Sequence, residues 1–142
     1  MTISFKFYHD AALTQEITSG NPLTATQETS GALGAVDKTI YLGSTVTGNK
    51  AQATSNPGVD PVVVSIADAD AGTGAPATEF KLSLSPITGA ETAGAALTLS
   101  ATLLSGVANA IPIYTRRVSA LAVAGSYTDL TLQTNSLNEI PV

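Results

Sequence analysis

Apolar side chains in this sequence recur at every second position, in short runs. In ISFKFYH (residues 3–9), Ile3, Phe5 and Phe7 fall on one face and Ser4, Lys6 and Tyr8 on the other. That is the side-chain period of a pleated strand, not of a helix. KTIYLGS (38–44) repeats it, with Ile40 and Leu42 opposed to Tyr41, and FKLSLSP (80–86) turns Phe80, Leu82 and Leu84 one way. ALTLSATLLSG (96–106) does so through Leu97, Leu99 and Leu103, and SYTDLTLQT (126–134) through Leu130 and Leu132. PVVVSIAD (61–68) reads as a buried strand, its Pro61 placed first, where no interior ladder bond is lost.

Turn residues punctuate these runs at GNP (20–22), TGNK (47–50) and NPG (56–58). LTATQET (23–29) alternates weakly, as an edge strand would, and SGALGAVD (30–37) reads as a loop. No stretch combines a helical period with helix caps. The pattern predicts an all-β fold, an antiparallel β-sandwich of the Ig-like or jelly-roll kind with about eight or nine short strands. With 142 residues, one domain over 1–142 is expected, and 135–142 (NSLNEIPV), which lacks a clear pattern, reads as a candidate C-terminal extension.

Only 12% of residues are charged and the net charge is −5, from six basic and eleven acidic side chains. So few cations, with only Arg116 and Arg117 adjacent, argue against nucleic acid as a partner. No apolar run approaches the roughly 20 residues of a bilayer span, so no membrane partner is expected. The opening MTISFKFYHD has neither the basic start nor the continuous apolar stretch of a signal peptide. There is no cysteine, hence no disulfide and no thiolate ligand, as suits a protein made in a reducing cytoplasm. Seventeen charged side chains cover a minor part of a surface of about 6,800 Å². The remainder is hydroxyl, amide, backbone and apolar, a surface that desolvates easily against a neighbour.

DADAGTGAPATE (68–79) places Asp68, Asp70 and Glu79 at positions one, three and twelve of an EF-hand loop. Such a loop needs a ligand at its fifth position and glycine at its sixth, where this chain has Gly72 and Thr73. The segment therefore reads as an acidic strand connector, and neither a metal nor a cofactor is expected. His9, the single histidine, closes the first strand and reads as a turn residue. G-x-S-x-G and H-E-x-x-H are both missing, so no catalytic residues are assigned and no enzymatic activity is expected. With no tryptophan, sugar stacking would fall to Tyr8, Tyr41, Tyr114 and Tyr127.

NAIPIYTRRV (109–118) holds a local conflict. Pro112 has no N–H to give a ladder, which predicts an edge strand or a bulge. Arg116 and Arg117, as neighbours on a strand, must point to opposite faces. Arginine and tyrosine are enriched at protein interfaces, so Tyr114, Arg116 and Arg117 are the candidate contact residues.

FKFYHDAALT (5–14), VDKTIYLGSTVTGNKAQATSNPGVDP (36–61) and YTDLTLQTNSL (127–137) together resemble the small accessory structural proteins of tailed bacteriophages. Within that group, a sandwich of this size resembles a capsid decoration, or cement, protein. The resemblance implies a virion protein on the capsid exterior, binding the major capsid protein of the assembled shell as a homo-oligomer, often a trimer. The alternative is a tail or baseplate Ig-like module, or an adhesin contacting host-surface glycans. A lectin-like or enzymatic sandwich using the acidic loops is the reading from another class.

Overall fold

The structure, a computed structural model, describes residues 2–25, 35–69, 74–118 and 128–142. It is an all-β, antiparallel sandwich. Among the described residues the strands are β1 (Lys6–Tyr8), β2 (Val36–Gly43), β3 (Asn49–Ala53), β4 (Val63–Asp68), β5 (Phe80–Ser83), β6 (Leu97–Thr98), β7 (Thr102–Leu104), β8 (Ile111–Arg117), β9 (Leu130–Thr134) and β10 (Leu137–Pro141). Two single 3-10 turns, Ala77–Glu79 and Val107–Asn109, interrupt them.

The largest sheet has the order β1-β2-β8-β5; two smaller ones run β10-β3-β7 and β6-β4-β9. The small sheets are halves of one bent ribbon. β6 leads into β7 and β9 into β10 across short breaks, and the turn after β3 feeds β4 between them. Strands that pass from one sheet to another are how orthogonal packings turn a corner. Asn135 holds the bend. Its amide donates to Val63 O at 3.0 Å. Its side-chain oxygen accepts from Val63 N at 2.9 Å, and its side-chain amide donates to Pro61 O at 3.2 Å.

The core lies between the large sheet and this ribbon. Ile40, Leu42, Leu82 and Ile113 come from the first; Ala51, Val62, Val64, Leu99 and Leu103 come from the second. Ile40, Ile113, Val62 and Val64 are wholly buried, each worth about 1.5–3 kcal/mol of transfer free energy. Leu130 and Leu132 of β9 are half-buried, and Leu132 packs on the core.

One buried carboxylate joins the chain's two terminal strand regions. Glu139 in β10 is 4% exposed and faces inward beside Ala51 of β3. Ser4 donates its amide to Oε2 and its hydroxyl to Oε1, both at 2.6 Å, and Asn49 Nδ2 donates to Oε1 at 2.9 Å. Ser44, fully buried, meets the Ser4 hydroxyl and accepts from Val46 N at 3.1 Å. Burial opposes the charge on Glu139, but the bonds from Ser4 and Asn49 outweigh it, so the carboxyl titrates below the ordinary glutamate range.

Several sequence expectations are corrected. Leu84 does not face inward: β5 ends at Ser83, whose hydroxyl accepts from Ser85 N, and Leu84 is 48% exposed in that turn. β8 is not an edge strand, since it runs between β2 and β5. Pro112 is tolerated because β5 pairs only with Tyr114 to Arg117, leaving the start of β8 uncovered on that side. The 135–142 segment contains β10, paired residue by residue with β3 from Leu137↔Ala53 to Pro141↔Asn49, so it closes the small sheet instead of extending from the domain. Tyr8, placed on the solvent side by alternation, is 7% exposed, because the following turn returns with a bridge from Tyr8 to Glu16. In that turn Leu13, buried at φ 54°, fills the notch left by Gly43 beside Ala110.

Candidate functional site

Alternation along β8 divides its side chains between two environments. Ile113 and Thr115 are buried toward the core, whereas Pro112, Tyr114 and Arg116 lie on the outer face of the large sheet. Thr115 anchors the inner side by donating to Lys38 O at 2.8 Å.

On the outer face, register places Asp37 of β2 and Lys81 of β5 on either side of Arg116. Arg116 Nε and Nη2 donate to the two Asp37 oxygens at 2.6 and 2.7 Å, a bidentate pair. The hydrogen bonds from Arg116 hold the Asp37 carboxyl below its usual range, and Asp37 in turn raises Arg116. Register also sets Tyr8, Tyr41 and Pro112 in one row across β1, β2 and β8, and Thr39 opposite Tyr114.

The segment after β5 folds back over this face. Lys81 Nζ donates to Gly89 O at 2.8 Å, and Gly89 takes φ +101°, a conformation other residues rarely adopt. Glu91 closes the turn, accepting from Thr88 N, the Thr88 hydroxyl and Gly89 N. Those backbone bonds, led by Thr88, lower its carboxyl to about 2. A shallow, open cleft of about 170 Å³ results, lined by Asp37, Lys38, Thr39, Pro86, Ile87 and Tyr114. It has room for one side chain of a partner.

The three residues expected to make contacts are therefore divided. Tyr114 and Arg116 share the outer face. Arg117 turns inward, its side chain 14% exposed, with Nε and Nη2 both 3.1 Å from Glu79 Oε2 and Nη1 donating to Ala25 O at 3.0 Å. Its guanidinium lies 5.8 Å from the centre of the Phe80 ring. This is how the strand accommodates two adjacent arginines without a bulge: the second meets a buried carboxylate.

The same pairing bears on the acidic 68–79 segment. Glu79, the would-be twelfth-position ligand, is 4% exposed and paired with Arg117. Residues 70–73 of that segment, with Asp70, lie outside the described residues, as does Tyr127. Asp129, the residue before β9, meets the segment: its carbonyl accepts from Ala69 N at 2.8 Å and its Oδ1 from Ala75 N at 3.3 Å. Its Oδ2 is buried and meets no hydrogen-bond partner among the described residues. Among the described residues no three His, Asp or Glu side chains gather as a metal site. His9 binds Asn21 O through Nε2 at 3.0 Å, in a turn.

Sequence reasoning missed Glu139 and Asp129. The first has a signal in hindsight, an acid at an inward position of L-N-E-I-P, whereas nothing local marks Asp129. No protein-family model, no curated protein and no solved structure matches this chain.

Proposed function

We propose that this chain is a non-enzymatic virion structural protein, a capsid decoration protein of tailed phages, that binds the major capsid protein of the assembled shell through the outer face of its large sheet. The observation that carries this reading is the composition of that face. Its Asp37–Arg116 charges are mutually neutralised, and half-buried Tyr41 and Tyr114 stand beside Pro112. Covering such a surface strands few ions, and tyrosine contributes large contact area at low entropic cost. Arg117 acts from beneath, fixing β8 against Glu79. Binding only the assembled state would stabilise that state by mass action, with many weak copies acting together.

The test is binding to expanded shells and to free capsid subunits. Binding to shells alone, weakened at least about tenfold by Tyr114→Ala or Arg116→Ala, is the expected result. Equal binding to free subunits, or both variants matching the parent chain, would overturn it. Tyr41 and the exposed Pro112, side by side in one row, favour a second reading, a tail or baseplate module stacking on host glycans. Copurification with tails, and a tyrosine fluorescence change on adding sugar that Tyr41→Ala abolishes, would select it.

A further inference from the structure

The sheet edges are not protected alike. An edge strand turns a row of unpaired N–H and C=O groups outward, and shortness, a charge, a proline or a covering segment keeps other chains off it. β1 is three residues long, carries Lys6, and is covered where Ile17 N donates to Phe7 O at 2.8 Å and Glu16 bridges Tyr8. β5 carries Lys81, and Gly94 N donates to Phe80 O at 2.7 Å along it. β10 has the inward Glu139 and ends in Pro141, while β6 and β7 are two and three residues long. β9 has none of these devices. Its five residues, LTLQT, include no charge, proline or glycine, and they pair with β4 without a bulge from Leu130↔Asp68 to Thr134↔Val64.

Pairing fixes which way its backbone points. Ala69 N donates to Asp129 O at 2.8 Å and Asn135 N to Val63 O at 3.0 Å, so Thr131 and Gln133 between them form the hydrogen-bonded pairs with Ala67 and Ser65. Leu130, Leu132 and Thr134 therefore turn their N–H and C=O away from β4, toward an edge where no described strand stands. Main-chain groups at that regular spacing are complementary to an extended backbone.

Charge selects among extended backbones. All six basic side chains lie on other strands: Lys6 on β1, Lys38 on β2, Lys50 on β3, Lys81 on β5, and Arg116 and Arg117 on β8. The sheet β6-β4-β9 bears Asp68 at the end of β4, with Asp129 just before β9 and Asp60 ahead of β4. A second copy would bring the same carboxylates to this edge, whereas a segment bearing lysine or arginine meets them with opposite charge.

We infer that the outer edge of β9 is a strand-acceptor site, at which an extended, basic segment of a different polypeptide adds to the sheet beside Leu130, Leu132 and Thr134. Main-chain bonds supply the affinity, and the acidic surroundings the choice of partner. The site shares no residue with the outer face of the large sheet, so it stands or falls independently of the decoration reading.

Amide exchange on the full chain, followed by NMR, is the first measurement. In the chain alone, Leu130, Leu132 and Thr134 should exchange fast, and Thr131 and Gln133 slowly. The probe is a synthetic peptide of about eight residues, alternating threonine and valine with lysine at both ends. It should bind with a dissociation constant of about 1 mM or tighter and slow the three fast amides. A counterpart ending in glutamate should bind at least about fivefold more weakly, and added salt should narrow the difference. Leu130→Pro removes an outward N–H and no ladder bond to β4, and should weaken binding about fivefold. If that variant folds poorly, Thr131→Lys, at an exposed position, should weaken the lysine peptide relative to the glutamate one. Slow exchange at all of these amides in the chain alone would mean that the edge is already covered, and overturns the inference. So does slowing that grows with protein concentration without peptide, which would assign the edge to a second copy. Absence of binding by the lysine peptide, equal binding by both peptides, or shifts confined to other strands overturns it as well.

Discussion

Replacing Glu139 by glutamine removes a charge while keeping the shape of the side chain, and the structure says which of two opposing effects wins. Burying a carboxylate is unfavourable, and a neutral amide escapes that penalty. Against this, Glu139 accepts three hydrogen bonds on its two oxygens, and an amide has one oxygen to offer. Whichever way the glutamine is turned, its NH₂ faces either the Ser4 amide or Asn49 Nδ2, donor against donor. One buried donor is left unsatisfied, at about 1–3 kcal/mol, and the surviving bonds lose their charge assistance. The lowered pKa of Glu139 shows that the hydrogen bonds already outweigh desolvation. A net loss of about 2–3 kcal/mol follows, which for 142 residues lowers the melting temperature by about 7–10 °C.

The pH dependence supplies the sharper test. Because the folded-state pKa lies below the unfolded one, the contribution of Glu139 is complete above the unfolded value of about 4.5. It disappears as pH falls through the folded value. Thermal denaturation of the parent and Glu139→Gln at pH 7 and pH 3 gives a double difference. The gap between the two proteins should narrow at pH 3. An equal gap at both pH values, or a variant as stable as the parent at pH 7, would refute the reasoning.

The two adjacent arginines should behave oppositely in stability. Arg117→Leu strips Glu79 of its buried ion pair and should cost about 3 kcal/mol or more in chemical denaturation, whereas Arg116→Ala, on the surface, should leave the midpoint nearly unchanged. Gly74→Ala would bring a methyl group 2.5 Å from Asp129 Oδ2 and 2.7 Å from its Cγ, so a loss of about 1–3 kcal/mol is expected, and a neutral variant would show that Asp129 swings aside freely. Glu91 should titrate near 2, visible as amide shifts of Thr88 and Gly89 in NMR spectra that move together at that pH; a midpoint near 4.5 would mean the turn is not closed by its carboxylate.

Much of the inner face was legible because alternation reports which way a side chain points. Ile40, Leu42, Leu99 and Leu103 are buried as expected, and Pro61 precedes β4 where its missing N–H is harmless. What alternation does not report is where a strand stops or what lies beside it. Leu84 continues the pattern of Leu82 but lies past the end of β5, and Tyr8 is covered by a turn no period announces. Pro112 is compatible with an inner strand because its neighbour is short, a property of β5, not of the sequence around residue 112. The Arg pair was rightly expected to split between faces, yet Glu79, 38 residues away, could not be identified as the inner partner. Ser4 and Glu139 are separated by 135 positions. Such contacts are fixed by topology, which local spacing does not encode.

The bent ribbon has a kinetic consequence. Because β6–β7 and β9–β10 each serve two sheets, neither half can peel away without dragging the other across the Asn135 hinge. Slow amide-exchange rates in β3 and β4 should thus converge on one opening event, so that the molecule yields all at once or not at all.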